Sequence, residues 1–130
     1  MGLGFKGDTG HHHTIAENIN SLKSNYGFNN GYFGEQGQSR HISTRNIKSD
    51  NPIKDSKDFY DKITHGGIES KLPNGKGYMT EMSDGSIITY REYKSSDGSP
   101  VVDINIKYSK DNGGIKQQKI HFVKRRSNYD

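Results

Sequence analysis

Apolar and polar positions alternate along four short segments in the C-terminal half of the chain, at residues 77–82, 86–94, 101–108 and 115–124. Successive side chains of a strand point to opposite faces, so each segment reads as a strand. Ile88 and Tyr90, then Val102, Ile104 and Ile106, then Ile120 and Phe122 fall on one face. Thr89 and Arg91, then Asp103, Asn105 and Lys107, then Lys119, His121 and the less fitting Val123 fall on the other. Turn-forming runs at residues 83–85, 95–100 and 109–114, rich in Ser, Asp, Asn and Gly, separate the segments. The pattern predicts a four-stranded antiparallel meander with one buried and one solvated face.

The N-terminal half is less periodic. Thr14 with Glu17 three residues on forms a capping box, and Ile15, Ile19 and Leu22 repeat at helical spacing, so a helix is expected over 14–26 with Gly27 as its stop. Residues 27–40, rich in Gly, Asn and Gln, read as a loop, and 41–48 fits either a short strand or an extended arm. A second helix is expected over roughly 56–64, preceded by Pro52 and Asp55, with Phe59, Tyr60 and Ile63 inward and His65-Gly66-Gly67 ending it. Helices first and an antiparallel sheet afterwards give an α+β class, with N-terminal helices packed on the meander. The expected division is a flexible junction at 1–13, a helical part at 14–65, the sheet at 77–124 and a basic tail at 125–130. The opening Met1-Gly2-Leu3-Gly4 resembles a linker junction, as expected of a piece of something longer.

Length and composition bound the rest. A chain of 130 residues has room for one small core. That core must be thin, since 28% of residues are apolar and the mean hydropathy is −1.03. Eight Tyr and five Phe compensate, each burying much area for its number. With no Cys there is neither a disulfide framework nor a thiolate metal site. No apolar run approaches transmembrane length, so no membrane insertion by this domain is expected.

Charge is placed unevenly. Residues 1–85 balance ten Lys/Arg against ten Asp/Glu, whereas residues 86–130 carry nine against five, which supplies the whole net charge of +4. The excess sits on the strand region and on Lys124-Arg125-Arg126, and such a basic face favours a polyanionic partner.

The polar face of the predicted sheet carries the chemistry. Metal-free RNA cleavage needs a base for the 2′-OH proton, an acid for the leaving 5′ oxygen and cations for the phosphorane. Histidine carries protons near neutral pH, and Arg and Lys grip phosphate. The candidate catalytic residues are therefore His121, Arg91, Lys119 and Thr89, with His65 as a second proton carrier. Ser95 and Ser96, which open a turn, and Lys107 with Asp103 are the candidate substrate-binding residues. His41 with Arg40 and Arg45 forms a weaker patch. His11-His12-His13 is the loudest local signal, but three adjacent imidazoles diverge, and metal motifs space their ligands by two to four residues. No metal and no cofactor is expected.

The stretch 59–123 resembles the C-terminal nuclease domains of bacterial polymorphic toxins delivered by contact-dependent inhibition. The resembling elements are Phe59-Tyr60-Asp61-Lys62-Ile63, Gly66-Gly67, Asp84-Gly85-Ser86-Ile87-Ile88-Thr89-Tyr90-Arg91, Ser95-Ser96-Asp97-Gly98-Ser99-Pro100 and Lys119-Ile120-His121-Phe122. They are similar to the superfamily that groups barnase, the EndoU nucleases, tRNA-cleaving colicins and RelE-type toxins. The resemblance covers about half the chain; residues 1–50 lie outside it. It implies helices on a four-stranded antiparallel sheet, and metal-independent ribonuclease activity, on tRNA in several relatives. Thr89, Arg91, Ser95, Ser96, Lys119 and His121 are the positions carried over. It further implies an acidic cognate immunity protein and, in some relatives, a host translation factor. Delivery from the cell surface or by secretion within a larger effector, with action in the target-cell cytoplasm, follows. The alternatives are a metal-dependent DNase that uses His11–His13, and a non-enzymatic nucleic-acid-binding module. Sheets that bind RNA specifically stack bases on exposed aromatics, and the polar face offers mainly Tyr93 at its margin.

Overall fold

The computed structural model of the chain describes residues 14–73, 75–92, 98–106 and 113–125. The first helix, α1, spans Ile15–Tyr26. The expected capping box is formed: the Thr14 side chain accepts from the Glu17 amide, and the Glu17 carboxylate accepts from the Thr14 amide at 2.7 Å. Ile15, Ile19 and Leu22 are fully buried, as their spacing predicts. A distant turn also holds this helix end, because the Asp84 carboxylate accepts from the Ile15 amide at 3.1 Å.

The stretch expected to be a loop contains three two-residue strands, β1 (Phe28–Asn29), β2 (Tyr32–Phe33) and β3 (Glu35–Gln36). β1 and β2 form a hairpin whose two central residues, Asn30 and Gly31, both have positive φ, at 56° and 90°. That is the conformation an Asn-Gly pair adopts in a tight hairpin turn. Gly34 also has a positive φ, and a Cβ there would lie 2.2 Å from the Asn46 carbonyl oxygen, so only glycine fits where the chain crosses to β3.

β4 (Thr44–Ser49) resolves the open choice at 41–48 in favour of a strand. α2 spans Pro52–Ile63, starting earlier than the predicted residue 56. Asn51 accepts from the Lys54 amide as N-cap, and Pro52 occupies the first turn, where a missing N–H costs nothing. Ser56, Phe59, Tyr60 and Ile63 face inward. The remaining strands are β5 (Ile68–Lys71), β6 (Gly77–Glu81), β7 (Ile87–Arg91), β8 (Val101–Asn105) and β9 (Gln118–Lys124).

The class is α+β with a mostly antiparallel sheet, but the sheet is not a four-stranded meander. It has seven strands in the order β3-β4-β9-β8-β7-β6-β5. The expected strands form its stretch β9-β8-β7-β6, with antiparallel pairing throughout. β5 adds one edge, and β4 adds to β9 in parallel. The part expected to be helical, 14–65, thus contributes β3 and β4 on the β9 side, and β5 comes from the stretch between it and the expected sheet.

Both helices cover one face of the sheet. Phe59 of α2 makes edge-to-face contacts with Tyr26, Phe33 and Phe122 at centroid distances of 5.1, 5.1 and 5.5 Å. Such pairs each add about 1 kcal/mol to their area burial. Two hydroxyl contacts complete the α2–sheet interface: Tyr60 with Thr80, and Ser56 with Tyr90 at 3.1 Å. Asn18 of α1 donates to the carbonyls of Ile63 and His65, both at 2.9 Å, and so ties α1 to the end of α2. The Gln118 carboxamide is fully engaged: it accepts from the Phe33 amide at 2.9 Å and donates to the carbonyls of Gly31 and Lys116. This buried side chain locks the β1–β2 hairpin onto β9. Among the described residues, no helix is long and apolar enough to cross a membrane.

Candidate active site

The face of the sheet without helices is organised in cross-strand rows. In one row Arg91 pairs with Val101, Val101 with His121, and His121 with Asn46. In the next, Thr89 pairs with Asp103, Asp103 with Lys119, and Lys119 with Thr44. The alternation read in the sequence therefore puts Thr89, Arg91, Asp103, Lys119 and His121 on one face in two adjacent rows. Rows two residues apart along a strand lie about 7 Å apart, and neighbouring strands about 5 Å. Arg91 and His121, with one strand between them, are about 10 Å apart at the backbone, close enough for a guanidinium and an imidazole to meet one phosphate. Val101 between them is 1% exposed, so the sheet face over it is covered and the two polar groups flank a buried apolar residue.

The His121 ring is in contact with the segment that precedes β8. The Ser99 hydroxyl lies 3.3 Å from its Nδ1, and Ser99 is itself buried. The adjoining Pro100 carbonyl accepts from the Phe122 amide at 3.0 Å, which ties the residues just before β8 to β9. This contact orients the imidazole, and because a hydroxyl can donate or accept it is compatible with either tautomer. On its other side His121 borders a cleft of about 180 Å³ lined with Gln38, Thr44, Asn46 and Val123. Gln38 follows β3, and Thr44 and Asn46 project from β4.

Charges of both signs share this face. Arg91, Lys119 and Lys48 supply the cations, and Asp103 and Glu35 the carboxylates. Lys48 and Glu35 approach to 3.9 Å but are both well exposed, so the pair is weak. Asp103 sits directly opposite both Thr89 and Lys119, as a cross-strand structural pair would.

Other candidates fall elsewhere. His65 lies in the exposed turn after α2, its carbonyl held by Asn18 on the helix-covered side, and the structure does not bring it to His121. Arg45 is not a surface cation. It is buried on the opposite face of β4, where Nε, Nη1 and Nη2 donate to the carbonyls of Phe33, Ile42 and Gly34 at 2.9, 3.0 and 2.8 Å. The guanidinium also lies 5.1 Å from the Tyr32 ring centroid. Burial lowers its pKa from the usual arginine value, and it remains a cation. Arg40 and His41 are exposed in the loop between β3 and β4. Ser95, Ser96, Lys107, Tyr93 and the His11–His13 run lie outside the described residues. Among the described residues, no group of three or more His, Asp or Glu is arranged to hold a metal ion.

Ser99, Thr44, Asn46 and Gln38 were not singled out by the sequence. Ser99 looked like a turn residue before proline, and the β4 residues gained their place only through parallel pairing with β9. A scan against protein-family models, a search of curated proteins and a search of solved structures each return no match.

Proposed function

We propose that this chain is a metal-independent endoribonuclease whose active site is the helix-free face of the sheet around His121. The observation that carries the reading is the row Arg91–Val101–His121–Asn46 beside the row Thr89–Asp103–Lys119–Thr44. A proton carrier, a bidentate phosphate ligand, an ammonium and hydroxyls converge there next to a cleft.

In the proposed reaction His121 takes the proton of a ribose 2′-OH. The 2′ oxygen attacks the adjacent phosphorus, the bond from phosphorus to the 5′ oxygen breaks, and that oxygen takes up a proton. The products are a 2′,3′-cyclic phosphate and a 5′-hydroxyl, with no water consumed. Arg91 and Lys119 stabilise the charge that develops on the phosphorane oxygens, the larger contribution in such sites. Thr89 orients the phosphate, and Ser95 or Ser96 shares that role. His65 as second proton carrier finds no support in its position, and the acid is assigned to no residue.

The biological setting follows the sequence resemblance: an antibacterial toxin domain delivered as part of a larger effector and acting on RNA, tRNA above all, in a target-cell cytoplasm. A cognate immunity protein would cover the basic face with carboxylates, as electrostatic complementarity requires. A host translation factor is a further candidate partner.

The test is incubation of purified protein with total cellular RNA, with and without EDTA, beside His121→Ala. The expected result is loss of a discrete RNA class that EDTA leaves unchanged and the variant slows by about 100-fold or more. Cleavage abolished by EDTA, or unchanged in His121→Ala, overturns the proposal and turns attention to the His11–His13 run.

A further inference from the structure

The cleft beside His121 is lined by two carboxamide residues, Asn46 and Gln38, together with Thr44 and with Val123 as its apolar part. Among the described residues neither carboxamide makes a hydrogen bond within the protein. Asn18, Gln36, Asn51 and Gln118 behave differently: each spends its side chain on backbone groups. Asn46 is not loosely placed. It stands on the parallel β4–β9 pair, and the backbone of Gly37 packs against it so closely that a Cβ there would lie 3.0 Å from Oδ1. The Gly37 amide in turn donates to the Thr44 carbonyl at 2.7 Å, and Gln36 and Ser39 brace the same loop through side-chain bonds. The cleft walls are therefore built by a braced hairpin.

A carboxamide offers one acceptor and a two-hydrogen donor side by side, which matches the edge of a nucleobase that presents an adjacent donor and acceptor. Adenine, with N6 and N7, is the base that Asn and Gln pair with bidentately. Single-stranded RNA exposes such edges. The cleft holds one base and not a whole nucleotide, and it opens on the imidazole that would act on the neighbouring ribose.

We propose that this cleft is a base-recognition subsite, in which Asn46 and Gln38 read an adenine of the nucleotide whose 2′ oxygen is the attacking group. The subsite gives the enzyme a sequence preference on the 5′ side of the cut. Asn46, on a strand and packed against Gly37, is the rigid reader, and Gln38, on the loop, the adaptable one. The inference rests on the ribonuclease reading for the identity of the nucleotide, but the recognition itself is separable from cleavage.

The experiment maps cleavage positions in a single-stranded RNA of randomised sequence, using the native chain, Asn46→Ala and Gln38→Ala. It is paired with an NMR titration of the same proteins with adenosine 3′-monophosphate and cytidine 3′-monophosphate. The native chain is expected to cut after adenine, and Asn46→Ala to weaken that preference by roughly tenfold or more, the size of one bidentate carboxamide–base pair. A base profile unchanged in both variants overturns the subsite and leaves the ribonuclease reading standing. If the native chain cuts no RNA even with cell extract added, the ribonuclease reading falls and the titration decides the subsite. Selective shifts of the Asn46 and Gln38 side-chain amides by the adenosine nucleotide support it. Equal shifts with both nucleotides, or none, overturn it.

Discussion

Asn46 and His121 are register partners across the parallel β4–β9 pair, so a carboxamide from the N-terminal half of the chain stands beside the imidazole of its last strand. This pairing makes the candidate site a product of both halves. The meander supplies His121, Arg91 and Lys119, and the added strand supplies the wall of the cleft.

The contact between Ser99 and His121 predicts a positioning role. Ser99→Ala removes the hydroxyl at Nδ1 and with it one hold on the orientation of the ring. A single hydrogen bond contributes about 1 kcal/mol net, so kcat/KM for RNA cleavage should fall about fivefold. The pH–rate profile should shift on its acidic limb, and Ser99→Thr should restore both. A loss of activity with an unmoved profile would make Ser99 merely structural.

Asp103 stands opposite Lys119 on the face that also carries Arg91. Asp103→Asn should tighten binding of single-stranded RNA several-fold at low ionic strength. The gain should fade toward 1 M salt, where the Debye length shrinks to about 3 Å. Arg91→Lys should go the other way, because an ammonium cannot replace the planar, bidentate guanidinium grip. Filter binding or fluorescence anisotropy across a salt series reads both effects.

Arg45 makes a prediction about stability. Arg45→Met preserves bulk but strips three donors from the carbonyls of Phe33, Ile42 and Gly34. Each buried acceptor left without a partner costs about 1–3 kcal/mol, so a net loss of about 3 kcal/mol is expected. For a chain of this size that lowers Tm by about 10 °C. Thermal unfolding monitored by far-UV circular dichroism measures it.

Alkaline conditions should destabilise the fold through its buried phenols. Burial pushes the pKa of Tyr60 well above its ordinary value, and burial raises that of Tyr90 as well. Below about pH 10 both phenols are protonated in folded and unfolded chains alike, and their contribution is intact. Above it the unfolded chain releases protons first, so stability falls as pH rises toward the folded-state values. Urea denaturation at pH 8 and pH 11 should show this fall, and Tyr60→Phe should flatten it despite losing the contact with Thr80.

Much of this was legible in the chain. The Thr14–Glu17 capping box, the Ile15–Ile19–Leu22 stripe and the strand alternation are local patterns, and the structure keeps them. The β1–β2 hairpin is missed, because residues 27–40 read as a loop: the Asn30-Gly31 turn signal between Phe28-Asn29 and Tyr32-Phe33 is obscured by the polar residues around it. The start of α2 is likewise expected too late, at 56, although Asn51-Pro52 carries the cap and first-turn signal.

By itself the sequence determined which side chains share a face, since a strand alternates with period two whatever it pairs with. Thr89, Arg91, Asp103, Lys119 and His121 had to lie together once their strands formed one sheet. Only the tertiary structure decided the sheet's extent, the burial of Arg45 and the arrival of Thr44 and Asn46 beside His121. Those depend on which strand edge meets which, and at what register. The Gln118 carboxamide and the parallel β4–β9 pairing settle that over long sequence separation, beyond the reach of any local period.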